Sequence, residues 1–301
     1  MIRFRIPRYL AAALLLGLGA GAAAADGFDP VTEDPPAADP PPTMEAGPID
    51  AGGVNMNGIV YLPGGAGPHP VTIILHGLPG NERNLDLAQA LRRAGWAVVF
   101  FHYRGAWGSG GAFSFGHVLE DVGTVVDWTL QAPVRERLGL DDAPRMLVGH
   151  SMGGFAALAG GSGDDDVGCI ASLAGANLGL LGAAVADEDA ARDVQERFDA
   201  LARGPLDGTS GAHMVEELRT SAARFDLIGR APALADNTLL LVAGSRDTVV
   251  APAAHHDPLV KALEAAGADV ETRILDDDHG FSGSRIALAR ALVEWAGRSC
   301  R

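Results

Sequence analysis

The sequence predicts an α/β fold, in which helices cover both faces of a mostly parallel sheet. From residue 54 to the end of the chain, short apolar runs rich in β-branched residues alternate with helical patterns. Near the centre, one such run leads through the pentapeptide GHSMG into an Ala- and Gly-rich stretch. The chain has 301 residues, of which 48% are hydrophobic and 20% charged, so it can bury one large core in a single domain.

Residues 1–25 predict a secretory signal peptide. Three arginines precede the apolar run 10–18, and small residues continue up to Ala25, where cleavage is expected. An anchoring helix is the alternative, but the apolar part is short and ends in Gly and Ala. Losing three arginines and no acids changes the formal charge from −15 to −18. We expect a secreted or periplasmic protein with no stable membrane anchor after signal cleavage and no nucleic-acid partner.

Residues 26–47 predict a disordered leader. Prolines and acids dominate this segment, and it has almost no large apolar residues whose burial would offset the entropy lost on ordering. We therefore expect the folded domain to span residues 48–301.

Strands and helices alternate through the first half of this domain. Strands are predicted at 59–62, 71–75 and 97–102, and helices at 84–94 and 118–130. The second strand runs into the sequence HGLPG. A Gly-containing turn directly after an early core strand can supply a backbone N–H donor to an oxyanion. We assign this donor to Leu78, because Pro79 has no N–H. An ordinary strand-to-helix loop is the alternative.

The loop after the third strand reads YRGAWGSGG, and its glycines allow it to fold back over a site. Trp107 is then a candidate substrate-facing wall. For Arg104, a structural ion pair is favoured over a role in the site.

The GHSMG pentapeptide lies between a strand at 146–148 and a helix at 155–159. A strand that reverses directly into a helix strains its turn residue, here Ser151, and the flanking glycines avoid a Cβ collision. The hydroxyl of Ser151 then projects from the sheet edge, and the N–H of Met152 is free to bind an oxyanion. We interpret Ser151 as a nucleophile; an ordinary Gly-rich connection is the alternative.

After a further strand at 170–174, the regular alternation stops. Residues 177–236 show helical patterns at 187–203 and 213–225 but no convincing strand. This segment is too long to be a single crossover between two core strands. We predict a small helical cap over the site, and two surface helices with a long loop are the alternative. If it is a cap, Leu178, Leu180 and Leu181 are candidates for an acyl pocket.

The last two strands, at 238–243 and 270–275, are each followed by an ionisable residue, Asp247 and His279. With Ser151, these residues follow the carboxyl ends of three parallel strands, which share one edge of the sheet. We expect His279 to deprotonate Ser151 and Asp247 to orient His279. The other candidate bases, His76, His150, His255 and His256, do not follow a terminal strand.

The motifs HGLPG, FHYRGAWGSGG, GHSMGG, GSRDTVV and DDDHGF, in this order, resemble the α/β-hydrolase superfamily, especially the branch near dienelactone hydrolases and prolyl oligopeptidase-type serine hydrolases. The resemblance extends from residue 54 to the end. It implies the α/β-hydrolase fold and acyl-transfer hydrolysis without a metal or an organic cofactor. Oligopeptidases carry a large amino-terminal domain, whereas only the predicted leader precedes this domain.

We therefore expect an exported serine hydrolase that acts on small-molecule carboxylic esters with small or medium acyl groups. An aminopeptidase-like or amide-hydrolysing enzyme is the alternative within enzymes. A binding protein that kept the fold without activity is an alternative of another class. The sequence names neither the acyl group nor the alcohol, nor the oligomeric state.

The two cysteines are predicted to form a disulfide. Cys169 lies at the amino end of a parallel strand, opposite the catalytic edge. A closing helix at 284–295 starts near the catalytic edge and runs antiparallel to the strands, so it delivers Cys300 to the same opposite edge. An exported protein lies in an oxidising compartment, where a disulfide can form and persist. A buried Cys169 with a free Cys300 is the alternative.

Overall fold

The fold was analysed in a computed structural model that describes residues 27–300, so the predicted signal peptide lies outside the described residues. In this part of the chain, eight strands form one sheet in the order β1-β2-β4-β3-β5-β6-β7-β8. The strands are Thr43–Asp50 (β1), Asn55–Leu62 (β2), Val71–Leu75 (β3), Ala97–Phe101 (β4), Arg145–His150 (β5), Val167–Leu173 (β6), Thr238–Gly244 (β7) and Asp269–Leu275 (β8).

The strands from β3 to β8 pair in parallel, whereas β1 and β2 are antiparallel to their neighbours. Strands β3, β4 and β5 are buried along their whole length, which explains their continuous apolar sequences. The predicted mostly parallel sheet is thus confirmed.

Helices cover both faces of the sheet. They are Leu85–Arg93 (α1), Phe115–Leu130 (α2), Ala132–Leu138 (α3), Met152–Gly161 (α4), Leu178–Ala184 (α5), Glu188–Ala202 (α6), Gly211–Ser221 (α7), Pro252–Ala266 (α8) and Arg285–Ser299 (α9). Helices α1 and α9 pack in one core cluster, and α2, α4 and α8 pack in the other. None of the helices within residues 27–300 has both the length and the apolarity to cross a bilayer.

Part of the predicted leader pairs with the sheet. Strand β1 begins at Thr43, inside the range 26–47, and pairs along its length with β2. Further upstream, the Arg93 side chain donates to the carbonyls of Pro30 (2.6 Å) and Val31 (3.2 Å), and Arg290 lies 2.8 Å from the carboxylate of Asp29. These contacts were not expected from the sequence, which predicts disorder for residues 26–47. Backbone pairing and arginine hydrogen bonds hold these residues, and neither needs the apolar side chains that the leader lacks.

Between β6 and β7, the chain forms α5, α6, α7 and a 3₁₀ turn at Ala231–Leu234. Helices α6 and α7 correspond to the two helical patterns predicted there. The insertion is joined to the loop after β4 by backbone hydrogen bonds from Trp107 to Pro205 (2.7 Å), from Asp207 to Gly105 (2.8 Å) and from Phe113 to Asp207 (2.9 Å). It therefore packs on the loop that was predicted to fold back over the site.

One carboxylate attaches the insertion to the core. Glu217 of α7 accepts hydrogen bonds from the backbone N–H groups of Phe115 (2.8 Å) and Gly116 (2.7 Å), which begin α2. N–H groups in the first turn of a helix have no partner within the helix, and a negative charge there is favoured by the helix dipole. Glu217 of α7 thus caps the N-terminus of α2, which is far from it in the sequence.

The predicted disulfide is confirmed. Cys169 of β6 is bonded to Cys300, which directly follows α9, with a Cα–Cα distance of 5.9 Å and a sequence separation of 131 residues. The direction of the parallel strands was sufficient to predict this pairing.

The double substitution Cys169→Ser/Cys300→Ser is expected to lower the free energy of unfolding by about 4 to 5 kcal/mol, because the unfolded chain regains the freedom of a long loop. Urea denaturation of the oxidised wild type and the double variant measures this change. Equal midpoints, or two free thiols in the denatured, unreduced wild type, would contradict the bond.

Glu217→Ala is expected to lower the free energy of unfolding by about 1 to 3 kcal/mol, because two N–H groups lose a charged acceptor. The control is the exposed neighbour Glu216, which lies 3.4 Å from Arg219 and should cost less than about 0.5 kcal/mol on the same change. Urea denaturation of both variants tests the difference, and similar losses would argue against the capping role.

Candidate active site

Ser151 forms the turn between β5 and α4. Its backbone angles are φ 59° and ψ −120°, a region that residues with a side chain rarely adopt. A Cβ on Gly149 would fall on the carbonyl of Gly153, and a Cβ on Gly153 would fall on the carbonyl of Leu75. Only glycine at these two positions allows α4 to begin this close to the sheet. The turn has the strand, strained serine and helix of a nucleophile elbow.

Three residues predicted from separate motifs meet at the carboxyl edge of the sheet. The Nε2 atom of His279 lies 3.0 Å from Oγ of Ser151, and its Nδ1 atom lies 2.7 Å from Oδ2 of Asp247. Because a carboxylate only accepts, Nδ1 carries the proton and the lone pair of Nε2 faces the serine hydroxyl. This arrangement can remove a proton from Ser151.

The carboxylate of Asp247 is fixed by the backbone. It is only 5% exposed, and its Oδ1 atom accepts hydrogen bonds from the N–H groups of Val249 and Val250, both at 2.8 Å. These bonds leave Oδ2 for His279. The acid therefore has one orientation, directed at the imidazole.

The loop that carries His279 is shaped by the aspartates before it. Asp277 accepts from the N–H groups of Asp278 and Gly283, both at 2.9 Å, and from the hydroxyl of Ser284. The hydrogen bond from Ser284 is the largest of the effects that lower the pKa of Asp277. Asp277 thus closes the loop onto the start of α9 and does not contact the imidazole's Nδ1, which is bonded to Asp247.

The HGLPG loop runs beside the nucleophile. A Cβ on Gly77 would lie 3.0 Å from Cβ of Ser151 and 3.6 Å from its Oγ. Among residues 27–300, the backbone N–H groups of Leu78 and Met152 donate to no other group. The two donors predicted for an oxyanion are therefore unpaired, one in the loop beside Ser151 and one in the residue after it.

Two buried imidazoles support this loop. His76 donates from Nδ1 to the carbonyl of Gly77 (2.7 Å), and Nδ1 of His102 lies 3.3 Å from Nε2 of His76. Burial is the main cause that lowers the pKa of His76 to about 4 and that of His102 to about 3. Both rings are neutral at neutral pH, so they serve as hydrogen-bonding groups. Apart from the HG dipeptide, no motif in the sequence indicated that His76 and His102 would contact each other.

Trp107 lies against the same loop. Its Nε1–H donates to the carbonyl of Pro79 (2.7 Å), its ring stacks on His102 at 5.8 Å between centroids, and the guanidinium of Arg83 lies 4.6 Å from its ring centroid. Trp107 therefore stabilises the predicted oxyanion loop, which the sequence did not indicate. Its role as a substrate-facing wall stays a prediction.

Arg104, in the same loop after β4, forms ion pairs with Glu120 (2.7 Å) and the buried Asp121 (2.5 Å) of α2. The structural ion pair favoured from the sequence is thus present.

The three leucines proposed for the acyl pocket differ in burial. Leu178 is 5% exposed and belongs to the core cluster, Leu181 is half-buried against it, and Leu180 is also half-buried. The half-buried pair has surface to offer a ligand, whereas Leu178 is already committed to the core. Their contact with a substrate stays a prediction.

The other histidines considered as bases have different partners. Nδ1 of His255 accepts from the backbone N–H of Asn177 (3.0 Å), and His256 lies half-buried on α8. Burial lowers the pKa of both imidazoles. Nε2 of His150 is bonded to the backbone carbonyl of His279 at 2.8 Å.

Comparison with known proteins gives a family match over part of the chain. Residues 66–180, less than half of the chain, match the family described as serine aminopeptidase, S33. This range contains the HGLPG loop and Ser151 but ends before Asp247 and His279. No curated protein matches the chain.

Solved structures match over most of the chain. Est1E from Butyrivibrio proteoclasticus has 19% identity and a TM-score of 0.61, over 84% of this chain and 98% of that one. The esterase Pf2001 from Pyrococcus furiosus has 18% identity and a TM-score of 0.63, over 89% and 98%. A 2,6-dihydroxy-pseudo-oxynicotine hydrolase has 20% identity and a TM-score of 0.60, over 87% and 70%. At these identities the likeness shows the fold.

The chain has the α/β-hydrolase fold, residues 66–180 match the serine aminopeptidase, S33 family, and a serine, a histidine and an aspartate meet at the carboxyl edge of the sheet.

Proposed function

We propose that this protein is an esterase that cleaves carboxylic esters of small or medium acyl groups through an acyl-enzyme on Ser151. The observation that carries the proposal is the hydrogen-bonded chain from Ser151 to His279 (3.0 Å) and from His279 to Asp247 (2.7 Å). The structural match Pf2001 is named as an esterase and is covered to 98% by this chain, which supports esters as the substrate class.

In the acylation step, Oγ of Ser151 attacks the ester carbonyl while Nε2 of His279 takes the hydroxyl proton. Asp247 stabilises the resulting imidazolium through the hydrogen bond from Nδ1. The N–H groups of Leu78 and Met152 donate to the oxyanion of the tetrahedral intermediate. His279 then gives its proton to the leaving alcohol, and the acyl group stays on Ser151.

Deacylation repeats these steps with water as the nucleophile. His279 takes a proton from water as it attacks the acyl carbonyl, and it returns that proton to Oγ of Ser151 when the acid leaves. The protons move only among Ser151, His279, the leaving alcohol and water, while Asp247 orients the imidazole and the two N–H groups stabilise the oxyanion.

The matched family favours a second candidate function, because it is described as serine aminopeptidase, S33. The same three residues can cleave an amide, provided that the site protonates a poorer leaving group and binds a free amino terminus. The leaving group of the substrate therefore separates the two functions.

We also propose that the protein is exported and acts outside the cytoplasm. The signal-peptide pattern of residues 1–25 supports this location. The bond between Cys169 and Cys300 supports it as well, since disulfides persist mainly in oxidising compartments.

For substrate binding, we propose that Trp107, Leu180 and Leu181 line the acyl site. The half-buried state of the two leucines supports this proposal, as does the bond from Trp107 to the loop beside Ser151. Leu178 is a candidate only if the core opens around it.

Ser151→Ala and His279→Ala are each expected to lower kcat for 4-nitrophenyl butyrate by a factor of about 10⁴ or more, and the double variant should lose little further, because the residues act as a unit. Asp247→Asn should cost about 10⁴, because the imidazole loses its correct tautomer. His256→Gln is the control and should keep wild-type activity. Normal turnover by His279→Ala would show that the base is another residue.

Esterase and peptidase function are separated by a 4-nitrophenyl ester and a 4-nitroanilide of the same aminoacyl group. We expect kcat/KM to favour the ester and the anilide to show no turnover that depends on Ser151. A kcat/KM for the anilide equal to or above that of the ester would instead identify an aminopeptidase.

A further inference from the structure

His150 is a buried histidine that the proposed mechanism does not use. It is the last residue of β5, it directly precedes Ser151, and it is only 6% exposed. Its Nε2 atom lies 2.8 Å from the backbone carbonyl oxygen of His279. A carbonyl only accepts, so Nε2 carries a proton and donates it to this bond.

The ring of His150 is neutral at neutral pH. Burial is the largest of the causes that lower its pKa to about 4, and the neighbouring charges are those of His279, Arg285 and Glu82. The ring centroids of His150 and His279 are 4.8 Å apart. A neutral donor here holds the backbone of His279 without adding a positive charge beside the imidazolium that forms during the reaction.

A second contact joins His150 to the same loop. Phe281 is fully buried, has a φ of 53°, and packs edge-on against the His150 ring with centroids 6.4 Å apart. Phenylalanine rarely adopts a positive φ, so the surrounding packing must hold this turn. His150 is part of that packing.

The sheet order explains why such a contact matters. Ser151 follows β5, whereas His279 follows β8, which lies three positions away in the order β5-β6-β7-β8. The distance between Ser151 and His279 therefore depends on how the loop after β8 reaches back toward the end of β5. The bond from His150 attaches that loop to β5, one residue from the nucleophile.

We propose that His150 is a positioning residue, which fixes the backbone of His279 relative to Ser151 through its Nε2–H. The inference rests on the proposed function, in which His279 is the base. Misplacement of a reacting group by about 1 Å can cost about 100-fold in rate. A loss of the Nε2 donor should accordingly affect the chemical step and leave ester binding unchanged.

Two variants of similar length test the donor. His150→Gln can place an amide N–H near the position of Nε2, whereas His150→Met cannot donate; His256→Gln is the control on another element. With a 4-nitrophenyl ester, we expect His150→Met to lower kcat by about 10- to 100-fold with KM within about twofold of wild type. We expect His150→Gln to stay within about threefold of wild type, and His256→Gln to match it. Unchanged kcat in folded His150→Met, or equal losses in both His150 variants, overturns the proposal.

The downfield proton resonance of Nδ1–H of His279 gives a readout that needs no substrate. We expect it to broaden or shift in His150→Met and to be kept in His150→Gln, and an unchanged resonance in His150→Met overturns the proposal. If the wild type cleaves no ester, the proposed function fails, but this resonance still tests the contact. Should His150→Met lack cooperative unfolding, His150→Leu replaces it as the donor-free variant.

Discussion

The structure depends on the close approach of α4 to the sheet at the turn that carries Ser151. Backbone meets backbone there, at Gly149 against the carbonyl of Gly153 and at Gly153 against the carbonyl of Leu75. The approach forces Ser151 into a strained conformation and leaves the N–H of Met152 at a helix terminus. It also brings the turn beside Gly77, so the nucleophile and the predicted oxyanion donors are placed by one packing constraint.

The histidines around this turn are of two kinds. His76, His102 and His150 are desolvated, which lowers their pKa values to about 4, 3 and 4, and each forms a hydrogen bond as a neutral ring. His279 instead bridges Asp247 and Ser151. The imidazoles without a carboxylate partner support loops, and the one with a carboxylate faces the hydroxyl that it would deprotonate.

Residues whose place follows from local pattern were predictable from the sequence. The buried strands β5 and β7 have continuous apolar runs, and Ser151 and Asp247 follow their ends. His279 follows the more exposed edge strand β8, and the shared edge of the parallel strands brings the three residues together. Strand β1, by contrast, has almost no buried side chain and is held by backbone pairing to β2. The hydrogen bonds of Arg93 to Pro30 and of His102 to His76 were not predictable either. These residues are far apart in the sequence, and an arginine or a histidine can bond to many other residues.

The disulfide has a mechanical consequence. Cys300 follows α9 directly and is bonded to Cys169 in β6, a strand with neighbours on both sides. Tension on the carboxyl end of the chain therefore passes through a covalent bond into the interior of the sheet and does not first peel α9 from its surface. To extend the chain from that end, a force must break the pairing of β6 with β5 or β7.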